Sequence, residues 1–221
     1  MKTISIRNKD IYKIEEESME QPLYGGDQDW YGTRWQRMSG CGPTTVANII
    51  YYLSRTRGLS ECHAKLTKKE CMELMDEIWN YVTPTINGIS SAGMLHNCVR
   101  KYLDKKKLDI KLDILDVPKK KPLRPDFSQV LGFLSKALSN DSPVAYLNLD
   151  HGTIEELESW HWVTIISLEY EEGAGPAYVE ILDGGLIKQI DLCEWYKTTR
   201  LGGGFVSFEI QKEAQTVKLL H

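Results

Sequence analysis

The stretch SGCGPTTVANIIYYL at Ser39–Leu53 predicts an amphipathic helix that follows a glycine-rich turn. Pro43 is typical of a first helical turn, because its fixed φ suits the helix and its missing N–H loses no bond there. Apolar residues then recur every three or four positions, as they do along one helix face; they are Val46, Ile49, Ile50 and Leu53. We expect this helix to begin near Pro43 and to be the first long helix of the fold.

Three further helices are predicted in the same half of the chain, each opening at a residue typical of a helix N-cap. Their starts are Thr67, Ser90 or Ser91, and Asp126, and the first of them runs to about Val82. Glutamate or glutamine stands three residues after the first and third starts, which is the signature of a capping box. The residues before the glycine-rich turn are polar, and we expect them to be irregular.

The spacing of apolar residues changes in the second half of the chain. Alternation from Leu108 to Ile114 predicts one half-buried strand. From Pro143 onward, apolar runs separated by glycine-rich turns predict antiparallel strands; the runs are 143–149, 159–170, 177–183, 186–192 and 205–210. A short helix is predicted at Leu192–Thr198.

Together these patterns predict a single α+β domain over residues 1–221. A mostly helical lobe spans about 24–140, and a mostly antiparallel β lobe follows over about 141–213.

Composition excludes several classes of protein. The 221 residues are 42% hydrophobic and 26% charged with a net charge of −4, which is typical of a globular domain and gives no reason to expect nucleic-acid binding. The start MKTISIRNKD lacks signal-peptide features, and the chain has no run of about 20 apolar residues that would span a membrane. Five cysteines without a CxxC pair indicate reduced thiols in the cytoplasm, with no metal site and no cofactor.

Cys41 is the first candidate for chemistry, since it lies between two glycines at the start of the predicted helix. Glycines let a substrate approach the backbone, and the positive end of a helix dipole stabilises a thiolate. The alternative is a buried structural cysteine. We assign that structural role to the other four, Cys62, Cys71, Cys98 and Cys193.

His161 and Asp183 are the candidate partners of Cys41. A thiolate needs a base and later an acid, and imidazole titrates nearest to neutral pH. His161 opens an apolar strand between two tryptophans, and Asp183 ends the strand that follows it in the chain. A hairpin can bring the two together, so that Asp183 orients His161. The alternatives are a core histidine and a strand-ending aspartate, and His151 is the competing histidine; His63, His96 and His221 are weaker candidates.

These residues resemble a known family. GCGPTT before a helix, then a distant HW followed by an apolar strand, and then an aspartate are similar to the papain-like cysteine peptidases of the bacteriocin-processing type, the double-glycine leader peptidase-like enzymes of bacteria. The resemblance implies a papain-like fold with Cys41 as nucleophile, His161 as general base and acid, and Asp183 as orienting residue. It also implies an oxyanion-binding glutamine shortly before the cysteine. Gln36 is the matching position, one residue nearer to the cysteine than is usual, and Gln28 is the alternative.

The implied function is hydrolysis of a peptide or amide bond through an acyl-enzyme on Cys41. Two alternatives use the same cleft: a catalytically inactive module that binds peptides, and an acyl or peptidyl transferase with the same triad. The chain lacks the membrane segments and nucleotide-binding loop of the transporter-fused family members, so their leader-peptide substrate is not carried over. Four tryptophans are candidates for lining the cleft or packing in the core; they are Trp30, Trp35, Trp160 and Trp162.

Overall fold

The computed structural model describes residues 1–15, 21–58, 66–171, 173 and 175–210 of the chain. Its helices are α1 (Arg34–Ser39), α2 (Cys41–Arg57), α3 (Lys68–Trp79), α4 (Ala92–Lys106), α5 (Phe127–Ser139) and α6 (Leu192–Thr198). Its strands are β1 (Lys2–Ser5), β2 (Lys13–Ile14), β3 (Leu23–Tyr24), β4 (Ile110–Val117), β5 (Val144–Asn148), β6 (His161–Tyr170), β7 (Ala177–Asp183), β8 (Leu186–Asp191) and β9 (Gly203–Ile210). The fold is a mixture of helices and antiparallel sheet, as the α+β prediction required.

The predicted helix starts are confirmed by their caps. Thr67 and Asp126 each form a reciprocal capping box with the glutamate or glutamine three residues later, and Ser91 accepts a hydrogen bond from the backbone N–H of Met94. Such caps satisfy N–H groups that have no partner within the helix. The helix predicted near Pro43 begins two residues earlier, so Cys41 is its first residue.

Seven of the described strands form one antiparallel sheet in the order β4-β9-β5-β6-β7-β8, with β1 added beside β6. The strand predicted at Leu108–Ile114 is β4, which pairs with β9 at one edge of the sheet. At the centre, β6 pairs with β5 near its start and with β1 near its end. Most of β6 is buried, because it is flanked by strands and covered by helices.

The prediction of an irregular N-terminal segment is wrong for α1, β2 and β3, and also for Lys2–Ser5, which is β1. This strand pairs with the end of β6, at a separation of more than 160 residues in the chain, with Lys2 opposite Tyr170. Ile6, Tyr12 and Ile14 are buried just beyond it. A strand of four residues with few apolar side chains has little local signal, and its position depends on a distant partner.

The buried apolar side chains of the described residues form one cluster between the sheet and the helices. Within it α2 packs against both α3 and β6. This packing brings the first residue of α2, Cys41, toward the first residue of β6, His161. Among the described residues, no helix combines the length and apolar character that a bilayer crossing requires.

Candidate active site

Cys41 lies at the junction of two helices, since only Gly40 separates α1 from α2. A Cβ added to Gly40 would stand 2.6 Å from both the carbonyl oxygen of Gln36 and the ring of Tyr31. Only glycine therefore allows α1 to lead so closely into α2. The half-buried Cys41 side chain is left at the N-terminal end of a 17-residue helix, where the backbone dipoles favour negative charge.

His161 and Asp183 come together through the register of β6 and β7. Thr164 pairs with Leu182, which places Asp183 at the level of Val163. His161 lies two residues before Val163 and therefore on the same face of the sheet. The ring Nε2 of His161 is 2.7 Å from Oδ1 of Asp183, and the two side chains are only 10% and 9% exposed.

The charges of this pair follow from their contacts. Burial raises the pKa of Asp183, but His161 and Lys188 outweigh it and lower the pKa to about 2. An ionised carboxylate only accepts hydrogen bonds, so Nε2 of His161 donates to it. Burial lowers the pKa of His161, whereas hydrogen bonding to Asp183 and to the Cys41 sulfur raises it to about 10. These contacts favour the protonated ring, and Nδ1 is the nitrogen left to exchange a proton with the Cys41 sulfur.

The turn between β7 and β8 holds Asp183 in place. Its two central residues, Gly184 and Gly185, have φ of +57° and +72°. Positive φ at both positions is typical of the type I′ hairpin turn, whose twist matches that of the flanking strands. Asp183 pairs with Leu186 across the turn. Asp183 is therefore the last residue of β7, as predicted, and the two-residue turn that follows holds it in place.

The two candidate glutamines occupy different places. Gln36 is the capping partner of Thr33, whose backbone N–H and hydroxyl donate to Oε1 of Gln36 at 3.2 and 2.9 Å. Gln28 instead lines a cavity of about 120 Å³ together with Cys41, His161 and Asp183. Among the described residues, Oε1 of Gln28 is buried without a hydrogen-bond partner. Gln36 therefore takes part in the start of α1, whereas Gln28 is the candidate glutamine that lines the cavity with Cys41.

Cys41 also borders a second and larger space. This apolar groove has a volume of about 320 Å³. Eight large apolar side chains of the described residues are exposed, and four of them line this groove; they are Trp35, Met38, Ile86 and Trp160. Three of the four candidate tryptophans, Trp35, Trp160 and Trp162, border the groove, whereas Trp30 packs against Lys68. The two spaces that Cys41 borders are therefore chemically different, one polar and one apolar.

Trp160 and Trp162 flank His161 in the chain and differ in their burial and their backbone conformation. Trp162 is 2% exposed and donates from its indole N–H to the carbonyl of Ile89 at 2.7 Å, which ties the loop around residue 89 to β6. Trp160 is 58% exposed and has φ of +60°, a left-handed conformation that is strained for a bulky side chain. Backbone strain of this kind is concentrated at functional sites.

The other candidates lie elsewhere. His151 belongs to the connection between β5 and β6 and lines neither space beside Cys41. Cys71 and Cys193 are buried, and Cys98 is half-buried on α4. Cys62, His63 and His221 lie outside the described residues. No group of three or more metal-binding side chains occurs in the described part of the chain.

One residue of the site, Lys188, has no counterpart in the sequence analysis. Its ammonium group is 2.6 Å from Oδ2 of Asp183. The signal available in the sequence was the hairpin itself, since a two-residue turn after Asp183 sets the pairing of β8 with β7. In comparisons with known proteins, no family model, no curated protein and no solved structure matched this chain.

Proposed function

We propose that this protein is a papain-like cysteine peptidase that hydrolyses a peptide or amide bond through Cys41, His161 and Asp183. The observation that carries the proposal is the position of His161, whose ring lies between the Asp183 carboxylate and the Cys41 sulfur at the start of α2. The packing of the cysteine helix against the antiparallel strand that carries the histidine supports the papain-like arrangement.

In the first half of the reaction, the Cys41 thiolate attacks the substrate carbonyl and a carbon–sulfur bond forms. The negative charge that develops on the carbonyl oxygen is stabilised by backbone N–H groups at the start of α2 and by the amide of Gln28. His161 then gives its proton to the leaving nitrogen as the carbon–nitrogen bond breaks. The products of this half are a free amine and an acyl group on Cys41.

In the second half, His161 acts as a base and removes a proton from water, which attacks the acyl carbon. The carbon–sulfur bond breaks and the carboxylic acid leaves. Asp183 stabilises the imidazolium in both halves, because its carboxylate stays ionised and accepts from Nε2 throughout.

The two spaces beside Cys41 suggest how a substrate lies. The leaving amine must be next to His161 to receive its proton, so the polar cavity takes the amine side. The acyl side then extends along the apolar groove, where burial of a large side chain stabilises the complex by about 1.5–3 kcal/mol. We therefore propose substrates with a bulky apolar residue on the acyl side of the cleaved bond.

A library of internally quenched peptides tests the proposal. We expect cleavage after sequences that contain a bulky apolar residue, and we expect Cys41→Ala to lower the rate by at least about 10³-fold because the nucleophile is lost. Cys98→Ala is the matched control, since Cys98 is also half-buried but lies on α4. Mass spectrometry with an added amine separates hydrolysis from transfer. Equal activity of Cys41→Ala and the wild type would exclude this chemistry.

A further inference from the structure

Both oxygens of the Asp183 carboxylate are occupied, and by different groups. Oδ1 lies 2.7 Å from Nε2 of His161, and Oδ2 lies 2.6 Å from Nζ of Lys188. The carboxylate is nearly buried, whereas the Lys188 side chain is about one-third exposed. A carboxylate held at one oxygen only can rotate about its Cβ–Cγ bond, but one held at both oxygens keeps a single orientation toward the ring.

The hairpin determines this contact. Lys188 pairs with Ile181 across β7 and β8, and Asp183 pairs with Leu186. Alternate residues share a face of a sheet, so Lys188 and Asp183 are diagonal neighbours on one face. The same turn that positions Asp183 therefore also places the Lys188 ammonium group beside Oδ2 of Asp183.

We propose, building on the proposed function, that Lys188 is a positioning residue for the reaction at Cys41. It holds the Asp183 carboxylate so that one oxygen faces Nε2 of His161, and it takes up part of the negative charge of that carboxylate.

The charges around His161 explain why the second effect matters. Cys41 faces the ring from α2 and Asp183 faces it from β7, while the polar cavity is also lined by three more acidic residues; these are Asp27, Asp29 and Glu158. Lys188 is the single lysine or arginine among the described residues that line this cavity. Without its charge, the surrounding carboxylates would hold the proton on His161 more tightly, and the ring would be a poorer acceptor in the step that activates water.

The test is a titration of His161 by NMR with histidine labelled at Cε1, in protein that carries Cys41→Ala. Removing the sulfur takes away one cause of the raised pKa and brings the midpoint into an accessible range. We expect Lys188→Met and Lys188→Gln to raise the midpoint by about one pH unit, because a neighbouring positive charge is lost. We expect Lys188→Arg, which keeps the positive charge, to leave the His161 midpoint at its value in the Cys41→Ala protein. Lys111→Met is the matched control. Lys111 also forms an ion pair with an aspartate, Asp113, but the pair lies on β4.

The kinetic readout is made with Cys41 intact and an ester substrate whose deacylation limits turnover. A rise of one unit lowers the neutral fraction of His161 about tenfold, so we expect kcat of Lys188→Met to fall about tenfold. Lys111→Met should leave kcat unchanged.

Because the titration needs no turnover, the two proposals fail in different ways. A midpoint that stays or falls in both Lys188→Met and Lys188→Gln overturns the role of Lys188, even where the wild type cleaves peptides. A midpoint that rises as expected supports that role, and an inactive wild type would then contradict the proposed function alone.

Discussion

The ring of His161 and the carboxylate of Asp183 are 2.7 Å apart although the two residues are 22 positions apart and are not direct partners across the strands. Their contact is diagonal on one face of the sheet. It depends on the β6–β7 pairing for its register and on the β7–β8 turn for the position of Asp183. This tertiary contact raises the pKa of His161 and lowers the pKa of Asp183.

The His161–Asp183 contact predicts how stability depends on pH. The pKa of His161 is about 10 in the folded protein and 6.5 as its ordinary value, so its contribution to stability is complete below about pH 6.5 and is lost as the pH rises through 10. Urea denaturation at pH 6, 8 and 10 measures this. We expect the difference in unfolding free energy between the wild type and His161→Gln to shrink steadily over that range. A constant difference would show that the folded state does not hold this proton more tightly.

Asp183 predicts the opposite dependence at acid pH. Its pKa is lowered from 3.8 to about 2 in the folded protein, so its contribution is present above about pH 4 and is lost as the pH falls through 2. Thermal unfolding of the wild type and Asp183→Asn between pH 2 and 5 measures this. We expect the two melting temperatures to converge toward the acid end, and parallel curves would contradict the ionised carboxylate.

The different positions of the two glutamines predict that replacing Gln28 lowers activity, whereas replacing Gln36 lowers stability. Gln28→Ala should lower kcat by about 10²–10³-fold by removing a donor to the oxyanion, with no large change in melting temperature. Gln36→Ala should leave kcat unchanged and lower the free energy of unfolding by about 1 kcal/mol, because the capping box of α1 is lost. Peptide kinetics and urea denaturation on both variants give the comparison. A loss of kcat in Gln36→Ala but not in Gln28→Ala would instead assign the oxyanion contact to Gln36.

The sequence predicted those parts of the fold that have local signals. Thr67, Ser91 and Asp126 are N-caps with their own hydrogen-bonding partners nearby, and the apolar runs of the β half are long enough to be recognised alone. Strand β1 escaped prediction because its stability comes from a partner strand far away in the chain.

The candidate site likewise contains residues that local sequence signals identify and residues that they do not. Cys41, His161 and Asp183 were identified from their neighbours in the chain, and the structure brings them together. The family resemblance implies Gln36 as the oxyanion glutamine, with Gln28 as the alternative, and in the structure Gln36 forms the capping box of α1 with Thr33. Lys188 is absent from the sequence-based candidates because its contact with Asp183 follows only when the turn at Gly184 and Gly185 is used to set the register of β8 against β7.

Gly40 predicts a large and specific loss of stability. Gly40→Ala would place a methyl group 2.6 Å from a backbone oxygen and from the Tyr31 ring, so we expect a loss of about 2 kcal/mol or more. Gly93→Ala is the matched control within α4, where a Cβ meets nothing within 4 Å and should stabilise the helix by up to about 1 kcal/mol. Urea denaturation measures both. Similar values for the two variants would contradict the close junction of α1 and α2.

The left-handed backbone at Trp160 predicts a difference between two small replacements. Glycine adopts φ of +60° without strain and alanine does not, so Trp160→Gly should be more stable than Trp160→Ala by about 1 kcal/mol. Both variants remove the indole from the apolar groove and should lower kcat/KM to a similar extent for substrates with a bulky apolar residue. Equal stability of the pair in urea would show that the strained conformation is absent in solution.

The central claim is that His161 makes Cys41 a reactive thiolate, and the rate of alkylation by iodoacetamide near pH 7 tests it most directly. Peptide mapping after short exposure measures the rate at Cys41 and at Cys98, whose pKa is raised by burial. We expect Cys41 to react at least about tenfold faster than Cys98 in the wild type, and to lose this advantage in His161→Gln. Equal rates at the two cysteines, or a Cys41 rate that His161→Gln leaves unchanged, would contradict the claim.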